Sequence, residues 1–203
     1  MMIPIEKSPN SIRIGGIGGQ GNIKMGLILA KALTYDKKWV VQTQHYGAQV
    51  RGGIAYSDVL FCSDPIDYPV AYSFDVIYMM HQKALDKYYN LVKPNGILFC
   101  DSTFVDKVPV TIRRLTRKII SFPIAEMSNE KFNMPVMANV IGLGLLQKTT
   151  EIVSMESLKR TVAEEVPERF KELNMQALEF GHSLCDKSYA VKEKKTYTPV
   201  NFE

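Results

Sequence analysis

The chain has 203 residues, is 46% hydrophobic, and carries 25 Lys and Arg against 21 Asp and Glu, a net charge of +4. That is enough apolar sequence for one domain with a real core, and the mild, interspersed charge argues against the concentrated basic face of a nucleic-acid-binding protein. No apolar run approaches the roughly 20 residues of a membrane span, and Pro4 and Glu6 do not fit a signal peptide.

In chain order, residues 1–10 read as a lead-in. Ile12–Ile14 starts a first strand that runs into the glycine-rich segment Gly15–Gly21. The pattern of Ile23, Leu27, Ala30, Ala32 and Leu33 predicts a helix over Asn22–Leu33. Strands are predicted at Trp39–Gln42 and Ala55–Cys62. Phe74–Met80 is almost continuously apolar, the mark of a strand covered on both faces. A helix over His81–Leu91, a turn at Lys93-Pro94-Asn95-Gly96 and a buried strand at Ile97–Asp101 follow. The basic run Arg113, Arg114, Arg117 and Lys118 reads as a solvated segment before a strand at Lys118–Phe122. Beyond Ala138 the pattern is helical: Ala138–Lys148, Met155–Glu165 and Arg169–His182.

Strands alternating with helices imply an α/β, Rossmann-like fold: a mostly parallel sheet with flanking helices and a helical C-terminal part. One domain is expected over residues 11–183, with terminal extensions at 1–10 and 184–203. The three cysteines, Cys62, Cys100 and Cys185, are far apart and lack metal-ligand spacing, so neither a disulfide framework nor a metal site is expected. A reducing, cytoplasmic setting follows from that usage.

Three clusters carry the chemistry. Ligands of such sheets bind beyond the carboxyl ends of the strands. The first cluster is Gly16-Ile17-Gly18-Gly19-Gln20-Gly21, which follows a strand and opens a helix. This arrangement brings backbone N–H groups to a phosphate, or else is only a tight turn. Dinucleotide sites of this kind use an acidic residue at the end of the second strand to hold the ribose. Here Val40-Val41-Gln42-Thr43-Gln44 offers none, which speaks against NAD. The second cluster is Gln44-His45-Tyr46-Gly47-Ala48-Gln49-Val50-Arg51-Gly52-Gly53. Arg51 is a candidate anion clamp or a structural ion-pair partner, and Tyr46 a candidate stacking surface. The third is Asn139-Val140-Ile141-Gly142-Leu143-Gly144 at a predicted helix start. Asn139 is placed to cap that helix or to face the cleft. Gly142 and Gly144 point to close helix packing, which offsets their cost of about 1 kcal/mol each against Ala.

These three motifs together, in this order and spacing, resemble the gamma subunit, or gamma domain, of 2-oxoacid:ferredoxin oxidoreductases over residues 11–183. Members often carry Pro-Glu where this chain has Ala48-Gln49. The resemblance implies oxidative decarboxylation of a 2-oxoacid with coenzyme A, giving acyl-CoA, carbon dioxide and reduced ferredoxin. 2-Oxoglutarate is the expected substrate; pyruvate, ketoisovalerate and indolepyruvate are the family's other substrates. It implies alpha, beta and delta partner subunits that carry thiamine diphosphate, magnesium and iron–sulfur clusters, with no metal on this chain and no catalytic residue assigned to it. Gly16, Gly18, Gly19, Gln20, Gly21, Tyr46, Arg51, Gly52 and Asn139 are the expected cofactor contacts, with coenzyme A as the ligand. A stand-alone dinucleotide-binding oxidoreductase and an assembly subunit with an empty glycine loop are the alternatives.

Overall fold

The computed structural model describes residues 7–47, 52–191 and 194–195. In chain order the elements are β1 (Lys7–Ser8), β2 (Asn10–Ile17), α1 (Asn22–Tyr35), β3 (Trp39–Tyr46), β4 (Ile54–Cys62), β5 (Phe74–Met79), α2 (Gln82–Tyr88), β6 (Val92–Asp101), β7 (Lys118–Phe122), α3 (Ile124–Phe132), α4 (Ala138–Thr150), α5 (Met155–Glu165), α6 (Lys171–Ser183) and β8 (Lys194–Lys195).

Six strands form one sheet in the order β3-β4-β2-β5-β6-β7. The pairs β2–β5, β5–β6 and β6–β7 are parallel. β4 runs antiparallel to both β2 and β3. The α/β, mostly parallel architecture therefore holds, with one inserted hairpin. The cause is chain length. Residues 47–53 join β3 to β4, far fewer than the dozen or more a parallel crossover needs.

α1 covers one face of the sheet, where Ile12, Ile14, Val59 and Phe61 meet Met25, Ile28 and Leu29. α2 covers the other, with Leu85 against Ile77, Met79 and Leu98. All six residues of β5 are buried, as its apolar run predicts. The expected turn at 93–96 survives as a bulge inside β6. Val92 pairs with Phe74 and the next partners are Ile97 and Val76, while Asn95 takes a left-handed φ of 61°.

α4 is buried continuously from Ala138 to Leu146, the pattern of a helix packed on all sides. A methyl on Gly144 would overlap the Leu178 carbonyl of α6, and one on Gly181 would overlap the Ile141 carbonyl of α4. The expectation of close packing is met there. α3 escapes the sequence reading because it lies on the surface and buries only Ile124 and Ser128, too few to mark a periodic stripe. Past α6 the chain folds back over α4. The Tyr189 N–H donates to the Thr149 carbonyl (2.6 Å), and Ser188 Oγ donates to Glu151 Oε1 (2.7 Å). β8 then pairs antiparallel with β1.

Arg13 on β2 lies opposite Asp58 on β4. Its Nε and Nη2 donate to the two carboxylate oxygens at 2.7 and 2.6 Å, and the guanidinium sits 3.9 Å over the Tyr56 ring. Burial pushes the Asp58 carboxyl above its ordinary pKa, with Arg13 opposing.

Candidate functional site

The three clusters meet beyond the carboxyl end of β2. The Gly18 N–H donates to the Gly53 carbonyl at 2.9 Å, which joins the glycine loop to the β3–β4 turn. Gln20 holds the loop shut from within. Its Oε1 accepts from the Ile17 N–H (2.9 Å), and its Nε2 donates to the Met80 carbonyl just past β5 (2.9 Å). Both ends of this amide are thus engaged inside the protein, and Gln20 shapes the loop.

Gly21 occupies the N-cap of α1 at φ 80°, with no side-chain cap. A left-handed backbone costs an L-residue about 1–2 kcal/mol, so glycine suits this position. The first helical bond here runs from the Met25 N–H to the Gly21 carbonyl. The amides of residues 22–24 therefore lack acceptors within the helix, at its positive end. The first turn of α1 contains no acidic residue. Asn22, which the sequence reading passes over, is buried, and its Nδ2 donates to the Ala55 carbonyl of β4. That bond ties the start of the helix to the hairpin.

Asn139 does not cap α4. Met137 takes the N-cap position, without a side-chain bond, because the turn Pro135–Met137 leads straight into the helix. Asn139 stands inside the first turn, 7% exposed. Its Nδ2 lies 2.8 Å from where a methyl on Gly21 would sit. The N-termini of α1 and α4 therefore abut.

Two cavities flank the start of α4. One, of about 200 Å³, is bounded by Gly19, Gln20, Met80, Asp101, Phe104 and Val136 among others. The second, of about 260 Å³, is lined by Ile28, Val136, Asn139, Val140 and Phe170 among others. A side chain on Gly19 (φ 101°) would meet nothing within 4 Å. Asp101 is the charged end of the Ile97–Asp101 run, a signal the sequence reading does not use. It is 1% exposed and accepts from the N–H groups of Thr103 (3.0 Å) and Ala125 (3.1 Å). Burial pushes its carboxyl above the ordinary pKa, and those bonds oppose the shift.

Tyr46 ends β3 in solvent, 65% exposed, and its hydroxyl donates to Gln44 Oε1 (3.0 Å). His45 stacks on Tyr56 at 4.8 Å. Gly52 is exposed at φ 73°. Arg51, with residues 48–50, lies outside the described residues. β3 is the outer strand, separated from β2 by β4. The position from which a dinucleotide fold holds the ribose is thus displaced as well as lacking a carboxylate. Among the described residues no group of three or more His, Cys, Asp or Glu is placed to hold a metal ion, and no helix is long and apolar enough to cross a membrane.

Residues 11–184 match the family of pyruvate ferredoxin/flavodoxin oxidoreductases. The chain is 35% identical to the 2-oxoglutarate synthase subunit KorC of Methanocaldococcus jannaschii over 182 residues, which cover 88% of this chain and 95% of that one. It is also 35% identical to the KorC of Archaeoglobus fulgidus, over 86% of this chain and 87% of that one. The solved gamma subunit of a keto/oxoacid ferredoxin oxidoreductase from Geobacter sulfurreducens superposes with a TM-score of 0.76 at 35% identity, covering 85% of this chain and 94% of that one. The 2-oxoglutarate:ferredoxin oxidoreductase of Magnetococcus marinus shares the fold (TM-score 0.77, 22% identity). There the match covers 93% of this chain but 34% of the longer one. The family match spans residues 11–184, and relatives at 35% identity cover most of the chain in both sequence and structure: the chain belongs to the pyruvate ferredoxin/flavodoxin oxidoreductase family.

Proposed function

We propose that the chain is the gamma subunit of a 2-oxoacid:ferredoxin oxidoreductase acting on 2-oxoglutarate, and that the face formed by the glycine loop, the β3–β4 turn and the start of α4 takes the phosphates of coenzyme A. The subunit and substrate reading rests on the likeness to KorC chains, which extends over nearly their full length. Alpha, beta and delta partners would carry thiamine diphosphate, magnesium and the iron–sulfur clusters. Thiamine diphosphate supplies the carbanion chemistry of decarboxylation, and the clusters take the electrons to ferredoxin.

One observation carries the coenzyme A part: two helix N-termini converge on a glycine loop whose first helical turn has free amides and no acid. Backbone amides at a positive helix end suit a phosphate. Gly19 leaves room for close approach of such a group. Arg51, which the sequence places between β3 and β4, carries a guanidinium, a group suited to a two-pronged grip on a phosphate. The chain's own work is then to bind and orient the anionic end of the thiol substrate. Co-purification with the products of neighbouring genes, followed by an activity screen over several 2-oxoacids with a viologen acceptor, tests the reading. Coenzyme A-dependent dye reduction with 2-oxoglutarate is expected. Activity confined to another oxoacid would refute the substrate, and an NADH-dependent activity of the isolated chain would refute the class.

A further inference from the structure

The basic run between β6 and β7 is held more firmly than a solvated connector requires. Residues Val110–Arg114 form a 3-10 turn around Ile112, which is fully buried. The N–H groups of Leu115 and Thr116 both donate to the Ile112 carbonyl, and the Asn95 N–H donates to the Leu115 carbonyl at 2.8 Å. Thr116 Oγ1 donates to the Gly96 carbonyl (2.6 Å) and accepts from the Lys118 N–H (3.0 Å). The turn is thereby pinned to the start of β6, and Arg113, Arg114 and Arg117 are left exposed on a fixed frame.

These are three of the chain's seven arginines, within five residues. Among the described residues none of the three has a hydrogen-bond or carboxylate partner. Elsewhere on the surface Lys24, Lys31, Lys159, Arg160 and Lys171 each pair with a glutamate. Val110, at the head of the same turn, is 75% exposed. An arginine cluster beside an apolar side chain has the composition of a protein interface. Guanidinium groups take carboxylates in a two-pronged grip, as they do phosphates, and on a protein surface the carboxylates of Asp and Glu are the anions at hand.

We propose that the turn Val110–Arg117 is a docking face for an acidic patch on a partner subunit. It lies at the amino ends of β6 and β7, the opposite end of the sheet from the glycine loop, so it is separate from the coenzyme A face. The inference rests on the subunit reading above. In two longer relatives, the ketoisovalerate subunit VorA and the Magnetococcus chain, the matching region makes up about a third of the polypeptide, at 35% and 34%. In both, this domain is joined to further protein.

The test uses the co-expressed complex. Charge reversal at all three sites (Arg113→Glu, Arg114→Glu, Arg117→Glu) is expected to weaken assembly about 10-fold or more, and the wild-type complex is expected to loosen with added salt. A second triple variant with Gln at the same sites should fall between the two. Hydrogen exchange on the wild type should show residues 110–118 protected in the complex relative to the free chain, a readout that needs no variant. Unchanged assembly of the reversal variant, or equal exchange of 110–118 in free and assembled chain, overturns the docking face and leaves the subunit reading standing. Failure of the wild-type chain to assemble with any partner overturns both.

Discussion

Replacing Gly21 by Ala tests the meeting of the α1 and α4 N-termini. The backbone there stands at φ 80°, which costs an L-residue about 1–2 kcal/mol. The new methyl would also lie 2.8 Å from Asn139 Nδ2, and its other near neighbours, Cγ and Cβ at 3.5 and 3.6 Å, belong to the same side chain. Turning that amide off its rotamer adds about 0.5–1.5 kcal/mol, so Gly21→Ala should lose about 1.5–3.5 kcal/mol in all. Asn139→Ala removes the atoms in the way and leaves the backbone strain. The double variant should therefore be more stable than the two single losses predict, by about 0.5–1.5 kcal/mol. Urea unfolding of the four proteins, followed by circular dichroism, measures this coupling. Additivity within about 0.3 kcal/mol, or a Gly21→Ala variant as stable as wild type, would refute the abutting geometry.

Other perturbations probe the rest of the fold. Gly144→Ala or Gly181→Ala forces a methyl into a backbone carbonyl of the facing helix. Each should cost at least about 1–3 kcal/mol, read as a lowered Tm; an unchanged Tm would contradict the α4–α6 contact. Arg13→Met leaves Asp58 buried without its partner and should lose about 3–5 kcal/mol near neutral pH. Burial already raises the Asp58 pKa, and losing Arg13 raises it further. A raised folded-state pKa favours the fold at low pH, and that support is lost as pH rises through it. The Tm deficit of Arg13→Met should therefore be small near pH 4 and grow toward pH 8; a deficit that shrinks as pH rises would contradict the buried pair. Cys100 is buried with its thiol pushed up to about 12, and Cys62 is buried too. A thiol reagent at mild pH should modify Cys185 alone in the native chain and all three cysteines after unfolding.

The parts of the fold that show in the sequence are those with strong local signals. β5 is an apolar run broken only by Asp75, the bounds of β7 and α5 coincide with their predicted limits, and the glycine loop sits where a strand gives way to a helix. The hairpin was not legible: the predicted strand stops at Gln42, which leaves twelve residues before Ala55, whereas β3 runs on through the polar Thr43–His45 to Tyr46 and leaves only residues 47–53. α3 was not, because a surface helix with two buried residues carries almost no period. Within the site, glycine spacing marks the loop, but what each side chain does depends on distant partners. Gln20 reaches Met80, sixty positions away. Asn22 reaches Ala55, and Asp101 takes amides from the turn after β6 and from the first turn of α3. Asn139 fits a capping position by residue type, yet the preceding turn moves the cap to Met137. Contacts of that range are set by the sheet order, which residue type alone does not encode.

The central claim is that this chain supplies the grip on coenzyme A. The direct measurement is coenzyme A affinity of the assembled complex with Arg51→Ala, beside coenzyme A-independent decarboxylation of the 2-oxoacid. Losing a charge-assisted pair of about 1.5–3 kcal/mol should weaken coenzyme A binding about 10- to 100-fold while decarboxylation stays at the wild-type rate. Coenzyme A affinity equal to wild type would contradict the account.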